Sequence, residues 1–378
     1  MHSFILAPDS FKGTMSADEV CSIWEESIKA NIPGALVRRF PIADGGEGMV
    51  DAYLRICGGE KITACVTGPF GEQTNVHYGI LPGGAAVMEM ASCAGLPLVG
   101  NHKDPERAST YGLGEMILHA AGRGAKEIIL GLGGSATNDC GIGMAASLGY
   151  HFFDDEDHVL EPLALNLGRV SRIEAPTSMP EVRIIAACDV DNPLYGPTGA
   201  TYTFGVQKGT TAQSAAKLDS GLKNMATIIA KDLGVEVANL PGSGAAGGLG
   251  AGVVAFLKGK LMPGVELLLD AAGFDEALKD ADIVFTGEGR IDWQSASGKA
   301  PVGISRRCKK AGIPCIALCG SIGAGAEAVY EEGITAIFSA VAGAADFDDI
   351  KRTCKDDMRL LATYVTRLLL SSGCKKGL

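Results

Sequence analysis

The sequence lacks the residue patterns that identify several common classes of protein. Its 11 cysteines form no CxxC pair and its 6 histidines form no HxH or HExxH pattern, so zinc ligation is not expected. The cysteine number is odd and several cysteines lie in apolar runs such as RIIAACDV, which predicts reduced thiols in a cytoplasmic protein. No signal peptide precedes SFILAPDS, and no apolar run approaches the roughly 18 residues of a membrane helix, so we expect no membrane partner.

Basic residues are also scarce, with 33 Lys and Arg against 44 Asp and Glu and a formal net charge of -11. Because a nucleic-acid backbone requires a basic face on its partner, this balance predicts no nucleic-acid partner. The Walker A loop is absent, since QKGT and SGKAP each lack the upstream glycine and the Ser or Thr directly after the lysine. The HRD and DFG motifs of protein kinases are absent too.

Glycine, by contrast, is in excess, with 52 of the 378 residues, about twice the average usage of ~7%. The glycines cluster in stretches such as GLGG, GSGAAGGLGAG and GEG. Apolar segments with strand or helix patterns separate the clusters, which excludes a collagen-like or low-complexity chain. No fixed internal period is visible, so a repeat protein is excluded as well.

Short apolar runs alternate with helical patterns along the chain. The predicted strands are FILAPD, LVRRFPI, EIILGLGG, RIIAACDV, DIVFTGEG, PCIALCG and TAIFSAV. Among the predicted helices, SADEVCSIWEESIKA begins with a capping box of Ser16 and Glu19. This alternation predicts an α/β fold with Rossmann-like parallel sheets, in which ligands bind beyond the carboxyl ends of the strands.

The middle of the chain has a different pattern of apolar and polar residues. KITACVTGPFGEQTNVHYGILPGGAAVMEMA alternates apolar and polar residues and carries turn signals, which predicts antiparallel strands. We therefore expect two domains, which the length of 378 residues allows. Residues 1–65 and 281–378 would form a discontinuous Rossmann-like domain, and residues 66–280 an inserted mixed α/β domain.

Five predicted strands end in a mixture of glycine and polar side chains: APDSFKG, PIADGGEG, LGLGGSATND, AACDVDN and FTGEGRID. Each could be a solvated turn or a helix cap when taken alone. Because the strands of such sheets present their carboxyl ends to ligands, five similar exits favour a shared cleft over five unrelated loops.

Two of the glycine-rich loops predict anion binding. LGLGGSATND leaves a strand and begins a helix, where backbone N–H groups unobstructed by side chains bind phosphate. PGSGAAGGLGAG repeats the pattern, although tight packing alone would also explain either loop. The same stretch contains a GxGxxG at Gly242, Gly244 and Gly247, but VEVANLP before it is broken by Asn and Pro, which disfavours a dinucleotide fold.

Carboxylates at strand exits complete the pattern. Asp189 directly follows RIIAAC, where it could act as a base or hold Mg²⁺, or form a turn before Pro193. FTGEGRIDWQSASGK places Glu288 and Asp292 beside basic residues in the same way. Acids for a divalent cation, glycine-rich anion loops and a few lysines are what phosphoryl transfer requires.

Six motifs in family order resemble the bacterial glycerate kinases of type I: APDSFKGTMSADEV, PIADGGEGMVDA, LGLGGSATNDCGIGMAASLG, CDVDNPLYGPTGAT, PGSGAAGGLGAG and TGEGRIDWQSASGK. The resemblance runs from Ala7 to about Gly320. It implies a two-domain α/β fold with a discontinuous first domain. It also implies ATP-dependent phosphorylation of D-glycerate with Mg²⁺, with 2-phosphoglycerate the favoured product.

The motifs and the resemblance together give a set of candidate site residues. The catalytic group has Asp189 as general base and Asp292 as the next candidate, with Lys12 as a cation. The candidates for binding the nucleotide phosphates are Gly133, Gly134, Ser135, Asn138, Gly244, Ala245 and Gly247. The candidates for binding the substrate are Asp9, Ser10, Arg290 and Lys299, and those for binding the metal are Asp44 and Glu288.

Two departures from the family pattern concern the details of the site. FGVQKG carries Val206 where the family usually has Pro, and Trp293 follows GRID where a small residue is usual. Two other functions stay open: a nicotinamide-dependent oxidoreductase and a non-catalytic metabolite-binding regulator on the same fold. In each case the expected partner is a small molecule, and the sequence leaves a homo-oligomer open.

Overall fold

The structure, a computed structural model, describes residues 2–42, 48–297, 299–341, 343 and 346–371. It divides into two compact units, which we call the terminal unit (Met1–Asp44 with Val265–Leu378) and the inserted unit (Gly45–Gly264). The predicted fold class is confirmed: both chain ends build a parallel-sheet unit, and the segment between them builds a mixed α/β unit.

The junctions between the units lie earlier in the chain than the expected 65/66 and 280/281. At the first junction, residues Glu60–Thr67 pair with Gln73–Ile80 and so belong to the sheet of the inserted unit. At the second, Arg307 donates from Nε to Glu266 Oε2 at 3.0 Å, which ties the segment after Gly264 to the terminal unit.

The strands have the following bounds. They are β1 (Ser3–Pro8), β2 (Leu36–Arg39), β3 (Glu60–Thr67), β4 (Gln73–Ile80), β5 (Ala86–Glu89), β6 (Glu127–Gly131), β7 (His151–Phe153), β8 (Arg172–Glu174), β9 (Arg183–Ala187), β10 (Lys260–Met262), β11 (Ile283–Gly287), β12 (Arg290–Ile291), β13 (Cys315–Cys319), β14 (Ser321–Ile322) and β15 (Ile334–Ser339).

The α-helices alternate with these strands. They are α1 (Ala17–Asn31), α2 (Met49–Cys57), α3 (Ala91–Ala94), α4 (Leu96–Val99), α5 (Tyr111–Gly122), α6 (Ile142–Ser147), α7 (Ala200–Phe204), α8 (Ala212–Leu233), α9 (Ala245–Leu257), α10 (Gly264–Ala271), α11 (Phe274–Leu278), α12 (Ala300–Ala311), α13 (Ala328–Glu331) and α14 (Phe347–Ser371). Turns of 3₁₀ helix span Ala164–Arg169, Val206–Lys208 and Ser295–Ser297. No helix in the described part of the chain is long and apolar enough to cross a membrane.

The sheet of the terminal unit is parallel throughout, in the order β15-β13-β11-β1-β2. After β1 the chain adds β2 on one side, and then returns to add β11, β13 and β15 on the other. The strand order therefore reverses between β1 and β11, which is where open α/β sheets bind their ligands. Phe4 and Phe285 stack across this strand pair with their ring centroids 6.0 Å apart, so the pair is fixed by a packed aromatic core.

The sheet of the inserted unit has the order β10-β9-β6-β5-β4-β3. Its β3, β4 and β5 are antiparallel neighbours, as the alternating pattern predicts, whereas β5, β6, β9 and β10 run parallel. Met88, Leu130 and Val253 belong to a fully buried cluster that packs helices against this sheet. This core fixes the carboxyl ends of β6 and β9, from which LGLGGSATND and AACDVDN leave the sheet.

The capping box at the start of α1 is confirmed. The N–H of Ser16 donates to Glu19 Oε2 at 2.9 Å, and the N–H of Glu19 donates to Ser16 Oγ at 3.2 Å. Two N–H groups at the helix start are thus satisfied by side chains, a contribution of about 1 kcal/mol. The cap fixes where the chain turns from the β1 exit into its first helix.

Candidate active site

Two carboxylates lie at the point where the strand order of the terminal unit reverses. Asp9 directly follows β1, and Glu288 directly follows the neighbouring β11. The N–H of Asp9 donates to the carbonyl oxygen of Gly287 at 2.8 Å, so the strand pairing continues to the first residue beyond β1. Both acidic residues are buried. The sequence predicted both as site residues, and the structure brings them to adjacent strand ends.

Glu288 is held by a short network. Ser295 Oγ donates to its Oε1 at 2.6 Å, and Lys299 Nζ lies 3.5 Å from its Oε2. Burial raises the pKa of Glu288, and the contacts from Ser295 and Lys299 offset only part of that effect. A carboxylate with a raised pKa and a nearby cation is typical of a functional site.

The loop after Glu288 exposes a guanidinium. Arg290 Nε lies 3.3 Å from Asp292 Oδ2, and the Arg290 side chain is 65% exposed. Asp292 Oδ1 accepts from the N–H of Gln294 at 3.0 Å, so this carboxylate is engaged in its own turn. Arg290 is therefore the better placed of the two to meet an incoming anion, whereas Asp292 orients it.

The β1 exit lies against this loop. A Cβ built on Gly289 would come within 3.5 Å of Phe11 Cα, so the two exits are in van der Waals contact. The N–H of Ser10 donates to Asp9 Oδ1 at 2.6 Å, and Lys12 is exposed in the turn that follows. The candidates of the terminal unit thus gather at one end of its sheet, apart from Asp44, which lies outside the described residues.

In the inserted unit, backbone hydrogen bonds join the loop after β6 to the segment around α3 and α4. The N–H of Leu96 donates to the carbonyl of Gly134 at 2.8 Å, and the N–H of Ala136 donates to the carbonyl of Ala94 at 2.9 Å. Gly134 has φ +76, a left-handed conformation that glycine adopts without strain. Asn138 is buried and donates from Nδ2 to Thr201 Oγ1 at 3.1 Å.

The second glycine-rich loop packs on the first. Ala246, Gly247 and Gly248 have successive positive φ values of 52°, 69° and 90° at the start of α9. A Cβ on Gly247 would overlap the carbonyl oxygen of Thr137, so only glycine allows this approach. The N–H of Cys140 donates to the carbonyl of Gly247 at 3.1 Å and joins the two loops directly.

The GxGxxG at Gly242, Gly244 and Gly247 does not form a dinucleotide-binding turn. Residues 234–244, which precede α9, contain no strand, so the strand-to-helix turn of that motif is missing. A Cβ on Gly244 would overlap the carbonyl oxygen of Pro193, which shows that close packing requires this glycine. Both the packing and the anion-binding interpretations of the loop agree with this geometry.

Asp189 lies at the exposed end of β9, next to the β6 exit in the sheet. Its Oδ1 accepts from the N–H of Gly264 at 2.8 Å. The turn before Pro193 is stabilised instead by Asn192, whose Nδ2 donates to the carbonyl of Thr198 at 2.8 Å. Asp189 is therefore oriented by a backbone amide and is not required for that turn.

The sequence interpretation missed a buried lysine beneath the β6 loop. Lys208 is 2% exposed and donates from Nζ to Ser135 Oγ and to the carbonyl of Thr137, each at 2.7 Å. Burial lowers the pKa of Lys208 to about 7, and the charge of Asp139 acts in the opposite direction. Burial also raises the pKa of Asp139. Lys208 and Asp139 lie in the quoted motifs FGVQKG and SATND, but neither residue lies at a strand end, which was the criterion for a candidate.

Asp139 is buried and satisfied by neighbouring donors. It accepts from the N–H of Thr110 at 2.9 Å, from Thr110 Oγ1 at 2.7 Å and from the N–H of Gly141 at 3.1 Å. Within the described part of the chain, however, Thr137 Oγ1 and Ser243 Oγ are buried without a hydrogen-bond partner. Because buried hydroxyls nearly always have a partner, these two point to a ligand or water at the glycine-rich loops.

A sheet with buried acids at its reversal point and a second unit with paired glycine-rich loops define the class as an α/β phosphotransferase. A sequence profile described as the glycerate kinase family matches residues 4–370. The chain therefore belongs to the glycerate kinase family, and it is a kinase.

Individual relatives agree with this assignment. The chain is 45% identical to a glycerate kinase of Halalkalibacterium halodurans, covering 92% of this chain and 93% of that one. It is 40% identical to a glycerate 2-kinase of Escherichia coli, covering 94% of each. A crystal structure assigned to glycerate kinase 2 of Salmonella typhimurium LT2 superposes with a TM-score of 0.84 at 37% identity, covering 98% of this chain and 99% of that one.

Proposed function

We propose that the protein is an ATP-dependent glycerate kinase of type I that converts D-glycerate to phosphoglycerate, with 2-phosphoglycerate the favoured product. The observation that carries the proposal is the position of Asp9 and Glu288 at the strand reversal in a chain of this family. The relative named glycerate 2-kinase supports the choice of product. Phosphoryl transfer needs charge neutralisation and positioning more than covalent chemistry, and the residues present suit both tasks.

The terminal unit supplies the candidates for a cation site. Glu288, one of the two metal candidates, offers carboxylate oxygens, the donor type that Mg²⁺ prefers, and its raised pKa indicates that a nearby positive charge would stabilise its ionised form. Asp9, which the sequence assigns to the substrate, offers further carboxylate oxygens at the adjacent strand end. No cluster of three or more His, Cys, Asp or Glu side chains suited to a metal occurs among the described residues. A site with one or two protein carboxylates, completed by substrate phosphates and water, fits that finding. Mg²⁺ would neutralise charge on the transferred phosphoryl group.

Basic side chains of the terminal unit are assigned to anions. Arg290 is exposed and can bind a carboxylate or phosphate through two parallel N–H groups. Lys299 and Lys12 add positive charge at the same end of the sheet. We assign Ser10 to a substrate oxygen, and Asp292 to the orientation of Arg290, as its ion pair supports.

The inserted unit supplies backbone donors. The loops that carry Gly133, Gly134 and Ser135 and Gly244, Ala245 and Gly247 would bind phosphate oxygens through N–H groups, with the amide of Asn138 nearby. Asp189 is the proposed general base. Its Oδ1 is oriented by Gly264, and among the described residues no hydrogen bond engages Oδ2, which can accept the proton of the substrate hydroxyl.

Phosphorus NMR of the products from ATP, Mg²⁺ and D-glycerate tests the proposal. The expected result is ADP and a 2-phosphoglycerate signal, with turnover abolished by excess EDTA. A 3-phosphoglycerate signal would reject the favoured product, and full activity in EDTA would reject the metal. Reduction of NAD by glycerate without ATP would support the oxidoreductase alternative instead.

A further inference from the structure

Lys208 is a charged side chain buried in the inserted unit. It lies in the 3₁₀ turn Val206–Lys208, with its ammonium bonded to two atoms of the β6 loop, Ser135 Oγ and the carbonyl of Thr137. Its chain neighbour Val206 is 81% exposed, so the turn itself lies at the surface and only the lysine points inward. Burying an ammonium is unfavourable unless its N–H groups are hydrogen-bonded. If this position only filled space in the core, an apolar residue would therefore be more stable there.

The two bonds set the shape of the loop. Because the C=O and N–H of one peptide point in opposite directions, holding the carbonyl of Thr137 toward Lys208 aims the N–H of Asn138 away from it. Among the described residues, the N–H groups of Thr137 and Asn138 have no hydrogen-bond partner. The hydroxyl of Thr137 is unpartnered as well. Three donors of a buried loop are thus left for something other than the protein.

A second tie joins the same loop to the same segment. Asn138 Nδ2 donates to Thr201 Oγ1 of α7, at the other end of the stretch 200–208. Gly209, directly after Lys208, has φ +96, and a Cβ there would meet the backbone of Lys103 at 2.8 Å. Close packing at Gly209 therefore fixes the carboxyl end of the stretch 200–208. Through Thr201 and Lys208 this stretch contacts the β6 loop at two points.

We propose that Lys208 is a positioning residue that holds the β6 loop in the form whose free donors bind a phosphoryl group of the nucleotide or product. The inference rests on the proposed kinase function and goes beyond it, because Lys208 does not itself touch the ligand. It acts through Ser135 and through the peptide between Thr137 and Asn138. The same arrangement explains why a lysine is kept at a buried position, where the two hydrogen bonds compensate for its burial.

The decisive comparison is Lys208→Met against Lys217→Met. Methionine keeps the length and most of the apolar stem of lysine but removes both hydrogen bonds. Lys217 is an exposed lysine on α8 that pairs with Glu106 at 2.7 Å, so its loss is the matched control. We expect Lys208→Met to raise the Kd and KM for ATP by ~10–100-fold, which is the size of losing one or two charge-assisted hydrogen bonds. The control should match the wild type within about twofold.

Ser135→Ala keeps the proposal testable if Lys208→Met does not fold. This substitution removes one of the two acceptors of the Lys208 ammonium and leaves the lysine in place. The Kd for ATP should rise by several-fold, and the way in which this Kd changes with pH between 7 and 9 should differ from the wild type. When both variants fold, their combined effect should be less than the product of the single effects, because both act on one loop geometry.

The outcomes separate the inference from the function on which it rests. An inactive wild-type protein would reject the kinase proposal. An active wild type with unchanged ATP affinity in Lys208→Met, or in Ser135→Ala where the first variant fails to fold, would reject the positioning role. A thermal unfolding curve is measured for each variant, and a loss of stability without a change in Kd or KM would show that Lys208 only fills space.

Discussion

The candidate anion sites of the two units are built in different ways. In the terminal unit the candidates are charged side chains: Glu288 is buried directly after β11, whereas Arg290 and Lys299 in the following loop are open to solvent. In the inserted unit the proposed donors are backbone N–H groups of two glycine-rich loops, and the side chains of Lys208 and Asp139 are buried. We expect the first arrangement to adapt to a ligand through its side chains, and the second to depend on the shape of its loops.

This contrast predicts how each unit responds to substitution. A charged side chain at a strand end can be replaced with little effect on folding, so activity alone should suffer. A glycine or a buried lysine in the second unit should contribute to both folding and binding, so we expect the two losses to appear together. The predictions below test this contrast, beginning with the largest expected effect.

Asp189→Asn should have the largest effect on turnover. The substitution keeps the size and the acceptor oxygen that Gly264 uses but removes the proton acceptor, so kcat should fall by a factor on the order of 10²–10⁴. The Kd for ATP should change little. Asp191→Asn, two residues further on and also exposed, is the control.

Three readouts distinguish the roles open to Asp189. Recovery of the rate at high Mg²⁺ would make it a metal ligand and move the base to Asp292. Lower thermal stability with normal turnover would make it a structural residue that anchors Gly264. A loss of kcat that Mg²⁺ does not restore is the result that supports the base.

Glu288→Gln should lower kcat by a factor on the order of 10², with a higher Mg²⁺ concentration needed for half-maximal rate. The physical reason is that glutamine keeps the bond from Ser295 but loses the charge that attracts a cation. The exposed Glu327 gives the control variant, Glu327→Gln. An unchanged Mg²⁺ dependence would place the metal elsewhere and weaken the contrast between the units.

Gly247→Ala tests the rigid side of the comparison. The new Cβ would overlap the carbonyl of Thr137 at a residue with φ +69, so we expect a loss of about 1–3 kcal/mol in the free energy of unfolding. The Kd for ATP should rise in the same variant, because the two loops must separate. Gly122→Ala, where a Cβ meets nothing within 4 Å, is the control. Normal ATP affinity in a destabilised Gly247→Ala would leave packing as the only role of this loop.

The contrast also explains what the sequence could reveal. Strands, helices, the capping box and the discontinuous unit follow from local patterns of apolar and polar residues, and the structure confirms them. Asp9 and Glu288 were predictable because a carboxylate directly after an apolar run lies at a strand end. Nothing local places them on adjacent strands, since the pairing of β1 with β11 joins residues far apart in the chain.

Lys208 was not predictable by the same reasoning. Its sequence context, QKG, is that of an exposed turn, and its neighbour Val206 is indeed exposed. The burial of its ammonium depends on Ser135 and Thr137, more than sixty residues earlier. The departures at Val206 and Trp293 are likewise explained only by position, because both side chains are largely exposed, Trp293 by 62%. They can change without disturbing the core.

The last prediction concerns stability rather than activity: Lys208 should make the free energy of unfolding depend on pH. Its pKa is about 7 in the folded protein and about 10.5 when exposed, so above pH 7 the unfolded chain binds a proton that the folded one releases. The free energy of unfolding should therefore rise with pH from about 7 toward 10.5, at no more than ~1.4 kcal/mol per pH unit. Lys208→Met should lack this rise.

The quantity to measure is the difference between wild type and Lys208→Met in how the free energy of unfolding changes with pH. Urea unfolding at pH 7.5, 8.25 and 9 gives this slope for each protein. Buried thiols such as Cys93 and Cys140 have raised pKa values and act in the opposite direction as the unfolded thiols ionise, but they are common to both proteins and cancel. Lys217→Met, which removes an exposed lysine, is measured as the control. Equal slopes for wild type and Lys208→Met would show that the ammonium keeps its proton when buried, so that Asp139 and the two acceptors hold it charged. Lys208 would then be a permanently charged side chain in the inserted unit. The two units would both use charged side chains, and these would differ only in how deeply they are buried.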